Sequence, residues 1–316
     1  MRLSRPFYQL PVLFETARLQ AEVAGLPPEA WVPHPDGVPG NSAARLITAG
    51  GVETDSVHGQ MLPTQWLAAM PYLRQVLAGF GVVWGRSRLM RLAPGVGVPE
   101  HADINYHWHT RVRLHIPIFT LPEVRFHCDG QSVHMGVGDA WIFDNWRRHH
   151  VENNAKAERI HLVADTSGTA AFWRLACGQA PPKDQWRTVD WHQKGDPQLL
   201  TESNQRSPIM PAAEVQFLIE DLCGELTIAT DAAGAEGRAA RFVMLMESFV
   251  FDWRQLCALH GVSGRARPDF LRLANAVRTA ARLLGDGLVM QTNDVSALLV
   301  LEKRVLQHLV VDEGAL

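Results

Sequence analysis

Between Arg86 and Asp165 the apolar positions fall into short runs, SRLMRL, VRLHIPIF, VRFHC, QSVHM, AWIFD and RIHLVAD, divided by turn residues. Runs of this length, rich in Val, Ile, Phe and Trp and bounded by turn signals, predict β-strands. Asp129-Gly130 stands between VRFHC and QSVHM, and a two-residue Asp-Gly loop tolerates the positive φ angles of a type I′ hairpin. Gly136 to Asp139 makes the next reversal. So many short antiparallel strands need a closed barrel or two stacked sheets, because an open sheet would expose edges and an apolar face. The prediction is a jelly-roll, cupin-like double-stranded β-helix.

The flanks follow a different period. Residues 13–24 and 64–80 read as helices, separated by the Pro/Gly-rich stretch PPEAWVPHPDGVPGNS, which reads as loop. Residues 167–209 carry PPKDQW, HQKGDPQ and TESNQRSP, a composition that predicts a linker. Helical spacing then returns in four stripes: Val215, Leu218, Ile219, Leu222 and Leu226; Phe242 to Leu256; Phe270 to Leu284; and Val295, Leu298, Leu299, Leu306 and Leu309. Such stripes are the buried faces of packed helices. The expected organisation is therefore a β domain with its helical flank over 1–166, a linker over 167–209 and an α-helical domain over 210–316. The last would cover the barrel, form a homodimer surface or recruit a larger partner.

Composition narrows the classes. The chain has 316 residues, 47% of them hydrophobic and 20% charged, and a formal net charge of -3. It has no Lys/Arg block of the kind that marks nucleic-acid or anionic-membrane binding. No run of about 18 apolar residues occurs, and the start, MRLSRPFYQLPVLFE, lacks a signal-peptide pattern. Cys128, Cys177, Cys223 and Cys257 are scattered, which suits reduced thiols better than a disulfide frame. A cytoplasmic protein is expected.

The candidate chemistry lies in the β region. Residues i and i+2 of an extended segment share a side, so His101 and Asp103 can face one metal ion. A later strand can return a third ligand, and His150 ends a candidate strand. Two imidazoles and one carboxylate leave half an octahedron open, which suits non-haem Fe(II), whereas zinc prefers a closed tetrahedron richer in Cys and His. Arg113 and His115 share a face of one strand, and Arg159 and His161 share a face of another. Cations on apolar strands are costly to bury without an opposite charge. A dicarboxylate would supply it, held by the Arg159 fork through two parallel hydrogen bonds. A surface ion pair of Arg159 with Glu158 is the plainer alternative.

The ordered motifs RLAPG, HAD, RVRLHIPI, GDAWIFD, HHVEN and RIHLVAD, between Arg91 and Asp165, resemble the aspartyl/asparaginyl β-hydroxylase family of Fe(II)- and 2-oxoglutarate-dependent oxygenases, which includes bacterial proline hydroxylases. The resemblance covers roughly residues 86–166. It implies iron ligands at His101, Asp103 and His150, with Arg159 on the distal carboxylate of 2-oxoglutarate and Arg113 and His115 near its metal-bound end. Trp141 and Asp144 also match the pattern. The implied reaction consumes dioxygen and 2-oxoglutarate, releases succinate and CO2, and hydroxylates an aliphatic carbon. Mammalian-type members carry glycine where this chain has Asp103, which sets the chain nearer the bacterial hydroxylases of small molecules and peptides. His149 and His150 must face opposite sides of a strand; His150 is preferred, because the resemblance places the ligand directly before Val-x-Asn.

Asn105, Tyr106 and Trp108 are candidate substrate contacts, His107 or His109 could join them, and His127 and His134 read as solvated. The acceptor stays open among a free amino acid, an Asp/Asn-type residue of a peptide or protein, and a larger intermediate. Two other functions remain in view: a metal-dependent cupin isomerase or lyase that does not use 2-oxoglutarate, and a non-catalytic ligand-binding cupin.

Overall fold

The structure, a computed structural model, describes residues 1–193, 198–204, 207–229 and 236–311. Eight strands build the core: β1 (Trp84–Leu92), β2 (Gly97–His101), β3 (Val112–Phe119), β4 (Val124–Cys128), β5 (Gln131–Val133), β6 (Ala140–Phe143), β7 (His149–Asn153) and β8 (Arg159–Thr166). β6, β3, β8 and β1 lie side by side in one sheet, and β5, β4, β7 and β2 in another. Apart from the β4–β5 hairpin, each successive strand changes sheet. That alternation is the double-stranded β-helix predicted from the apolar runs. The hairpin turns at Asp129 and Gly130, with φ of 50° and 71°, between the paired residues Cys128 and Gln131, as a type I′ turn requires.

Strand alternation divides the larger sheet's side chains between two environments. Val112, Leu114, Ile116, Ile118, Ile160, Leu162 and Ala164 pack on one face with helices α1 (Thr16–Ala24) and α2 (Pro71–Gly79), which contribute Leu19, Val23, Tyr72, Leu73, Val76 and Leu77. The opposite face looks toward the smaller sheet. There Leu92, Phe143, Val124, Phe126, Cys128 and Val151 form a second apolar cluster, among the inward polar residues described below.

Two expectations are corrected. The segment before β1 is not only helical: Asn41–Ala49 and Gly59–Pro63 extend the larger sheet beyond β1. These strands follow the Pro/Gly-rich loop closely, and no alternating apolar run as plain as those of the core announces them. The stretch read as a linker largely folds onto the β unit. Ala170–Cys177 is a helix, N-capped by Thr169, whose Oγ1 accepts from the Phe172 amide at 3.2 Å. Phe172 is buried against Phe80 in the main core, and Arg187–Val189 pairs in parallel with Val12–Phe14. Residues 194–197 and 205–206 of that stretch lie outside the described residues. The compact units are Met1–His101 with Thr110–Asn204, and Ala102–His109 with Gln205–Leu316.

The second unit contains α3 (Ala212–Gly224), α4 (Glu236–His260) and α5 (Arg267–Leu284), and the first three predicted stripes fall on their inward faces, except that Leu226 lies beyond α3 on a short strand, Leu226–Ile228. Of the fourth stripe, Leu306 and Leu309 are buried and Leu299 is exposed; Val300, Leu301 and Val305, at a π-helical turn over Leu301–Val305, are buried as well. Within this unit the buried Arg304 donates from Nη1 to Asp221 Oδ2 at 2.8 Å and from Nε to the Ile104 carbonyl at 3.4 Å. Tyr106 donates to Glu214, and His109 lies 3.7 Å from Asp221. The residues following Asp103 are thus fixed by helical packing. Among the described residues, no helix is long and apolar enough to cross a membrane.

Because Phe172 is only 1% exposed, Phe172→Ala is expected to destabilise the β unit by about 3–5 kcal/mol, measured as a lowered midpoint of denaturant unfolding. A loss below about 0.5 kcal/mol, normal for a surface position, would return this segment to the status of a linker.

Candidate active site

β7 decides which histidine faces the interior. Its burial alternates, with His149, Val151 and Asn153 buried and His150 and Glu152 partly exposed. His149 lies across from His101 on β2, with ring centroids 4.3 Å apart. Asp103 follows His101 by two residues in sequence and belongs to the other compact unit. The histidine that faces His101 is therefore His149, not His150. His150 begins the strand region rather than ending it, and its ring stacks on His127 on the other side of the sheet, at 4.2 Å and 6°. A one-residue change of register reverses the side chain's face.

Both inward imidazoles are oriented through the same device. His101 Nδ1 donates to the Pro99 carbonyl at 2.8 Å, and His149 Nδ1 donates to the Arg147 carbonyl at 2.9 Å. A carbonyl only accepts, so each Nδ1 carries the proton and each Nε2 keeps its lone pair for a metal. The loop that presents His149 is organised by Asp144, which is buried and accepts from Leu3 N, Trp146 N and Arg147 Nε at 2.9, 3.0 and 3.1 Å. Asp144 is thus a turn organiser, as its place in the motif allowed. Trp141 pairs across from His115 and donates from its indole to Asp139 at 3.1 Å. At the far end of β7, Asn153 donates to the carbonyls of Leu92, Ala93 and Ala157.

From His149 a line of rings runs along the inward face. His149 packs on Phe143 at 4.8 Å, Phe143 on His115 at 5.4 Å, and His115 on His161 at 5.9 Å. His161 Nδ1 then accepts from Arg159 Nη2 at 2.8 Å. Arg159 is 4% exposed, and among the described residues no carboxylate pairs with it. Its Nε, both ring nitrogens of His115 and Nε2 of His161 are buried without a hydrogen-bond partner. This is an interior of donors and neutral acceptors. The Glu158 alternative does not apply, since Glu158 is 4.0 Å from Arg91 instead.

Arg113 differs from Arg159. It sits across from Asp165, with Nε 3.8 Å from that carboxylate, and Arg86 approaches the same group at 3.9 Å. Its charge is answered within the protein. Arg88 went unremarked in the sequence, yet it is buried and contacts His34 Nε2 at 3.2 Å. The signal for it was available: an arginine in the SRLMRL run alternates with Leu89, which packs on the helices.

Burial dominates the titration of this interior. It pushes Arg159 down to about 9, and together with repulsion from Arg86 and Arg113 it pushes Arg88 down to about 9. His115 and His161 are held well below the usual imidazole range, first by burial and then by the Arg159 charge. They stay neutral. Unfolding releases His161 to its ordinary value of 6.5, so below that pH the unfolded chain binds a proton that the folded one refuses. Stability is expected to fall as pH drops from about 6.5 toward the depressed folded value, and to be insensitive to this group above it. In chemical unfolding of the metal-free protein, His161→Gln should reduce the acid slope by roughly one proton; an unchanged slope would contradict a neutral buried His161.

Residues 58–168 match the family model described as Aspartyl/Asparaginyl beta-hydroxylase. Among solved structures, a 2OG-Fe(II) oxygenase family oxidoreductase from Burkholderia pseudomallei is similar at 18% identity, over 48% of this chain and 79% of that one, with a TM-score of 0.37. A Pseudomonas putida prolyl-4-hydroxylase is similar at 17% identity, over 53% and 95%, with a TM-score of 0.35. A predicted oxalate decarboxylase from Thermotoga maritima is similar at 17% identity, over 43% and 89%, with a TM-score of 0.26.

Proposed function

We propose that this chain, whose residues 58–168 carry the aspartyl/asparaginyl β-hydroxylase pattern, is an Fe(II)- and 2-oxoglutarate-dependent hydroxylase. Its acceptor would be an aliphatic carbon of an amino acid, or of an Asp/Asn-type residue in a peptide or protein. The observation that carries this reading is Arg159: a buried guanidinium with no acid partner among the described residues, reached from the His101/His149 pair through Phe143, His115 and His161.

His101, Asp103 and His149 fit iron through two neutral nitrogens and one carboxylate, a donor set that suits Fe(II) and leaves coordination positions open. Iron held there would supply dioxygen activation at the expense of 2-oxoglutarate, with succinate and CO2 as by-products. The protein's own residues do the rest. The carbonyls of Pro99 and Arg147 keep both Nε2 atoms aimed forward. Arg159 binds the distal carboxylate of the diacid, and His115 and His161, neutral at physiological pH, can donate or accept along its length. Phe126, Phe143 and Val151 keep water from the interior. An isomerase, a lyase or a ligand-binding cupin without a keto acid would leave the Arg159 charge buried for no purpose.

Equilibrium binding of 2-oxoglutarate in the presence of Mn(II) tests the reading. Arg159→Ala should weaken binding by roughly 30- to 150-fold, the equivalent of losing a charged hydrogen-bond partner worth about 2–3 kcal/mol. His149→Ala should abolish the metal dependence, and His150→Ala should leave it intact. Absent binding, or an Arg159→Ala protein that binds as well as the parent, would reject the oxygenase. Incubation with Fe(II), 2-oxoglutarate and heavy dioxygen in a cell extract, followed by mass spectrometry, would then identify the labelled acceptor.

A further inference from the structure

β7 presents chemistry on both its faces. Its outward side chains, His150 and Glu152, stand beside His127, which is the cross-strand partner of His150 on β4. One ligand atom from each of these three residues lies within 4.8 Å of the others. Glu152 Oε2 is 3.8 Å from His127 Nε2, and Glu152 Oε1 is 4.0 Å from His150 Nε2. Glu100 Oε1 lies 4.0 Å from the other ring nitrogen of His150, Nδ1.

We propose that His127, His150 and Glu152 form a second divalent-cation site on the outer face of the smaller sheet, suited to a borderline transition ion such as zinc. The donor set is the same as that of the inner group and admits first-row transition ions, iron and zinc alike, over magnesium or calcium, which prefer oxygen ligands throughout; zinc is the probe because it is redox-inert and completes its coordination with water. Zinc binds its ligands at about 2.0–2.2 Å, which sets neighbouring donor atoms roughly 3.3 Å apart. Closing from separations of up to 4.8 Å needs rotation of side chains that are 29% exposed for both histidines and 46% for Glu152, and a tilt of the two stacked imidazoles so that their nitrogens converge on the ion. The competing contacts are exposed and therefore weak: Asn154 Nδ2 donates to Glu152 at 3.2 Å, Arg125 stands across from Glu152, and Arg148 lies 3.7 Å from Glu100. The ion would clip β4 to β7, the strand that also carries His149. This site does not depend on the oxygenase reading, because alternation places it on the other side of the sheet.

The test uses the full chain in a His149→Ala background, which disables the inner trio. Zinc is titrated against a chromophoric chelator and by thermal unfolding, with magnesium as the control ion. The expected result is one zinc equivalent and a zinc-dependent rise in Tm. Adding His127→Ala or Glu152→Gln should weaken zinc binding by about tenfold or more and remove the rise in Tm, and His127→Gln serves if the alanine variant folds poorly. Zinc affinity and Tm response unchanged by these substitutions, or a magnesium response equal to that of zinc, would overturn the site. If the parent protein and His149→Ala bind the same number of zinc ions, the inner assignment fails and the outer one stands.

Discussion

Placing a guanidinium inside a β-barrel without a carboxylate is a large electrostatic demand, and the interior around Arg159 is arranged around it. Burial pushes its pKa down to about 9, and among the described residues its hydrogen-bond acceptor is a neutral ring, His161 Nδ1. His161 and His115 are in turn kept neutral by the same burial and the same charge. Arg113 shows what a satisfied interior arginine looks like here, since Asp165 lies opposite it. That contrast is the ground for proposing an external anion as the partner of Arg159.

Period-two alternation is what makes this arrangement cheap to build. The same strands that give Ile116, Ile118, Leu162 and Ala164 to the helix-covered face give His115, Arg159 and His161 to the other. One apolar core stabilises the sheet while its reverse face is left for chemistry. β7 repeats the device in miniature, with His149 inward and His150 outward. Adjacent histidines on one strand thus belong to different environments.

That alternation also sets what the sequence could reveal. Six of the eight core strands were legible as apolar runs between turn signals, and the Arg113/His115 and Arg159/His161 pairs were legible as charges within them. β2, Gly97–His101, was not, because its residues are largely exposed and carry no apolar stripe. The choice between His149 and His150 turned on a single-residue register, which depends on where β7 begins and how it pairs with β2 and β4. Pattern alone carries no such information. The stretch after Thr166 was misread for another reason: its polar, proline-bearing composition hid one short helix, whose Phe172 fills a core position. In the C-terminal unit the helices largely followed their stripes; Leu226 falls on a short strand instead, and Leu299 lies off the buried face just before a π-helical turn, which changes the phase without changing composition.

The central claim is that one interior holds a metal at His101, Asp103 and His149 and an anion at Arg159. It is tested most directly by crystallising the protein with Mn(II) and 2-oxoglutarate and measuring the anomalous signal of the metal. The account predicts a peak ligated by those three side chains, with the distal carboxylate of 2-oxoglutarate on the Arg159 guanidinium. An inner metal peak on His150 in place of His149, or a diacid bound away from Arg159, would contradict it.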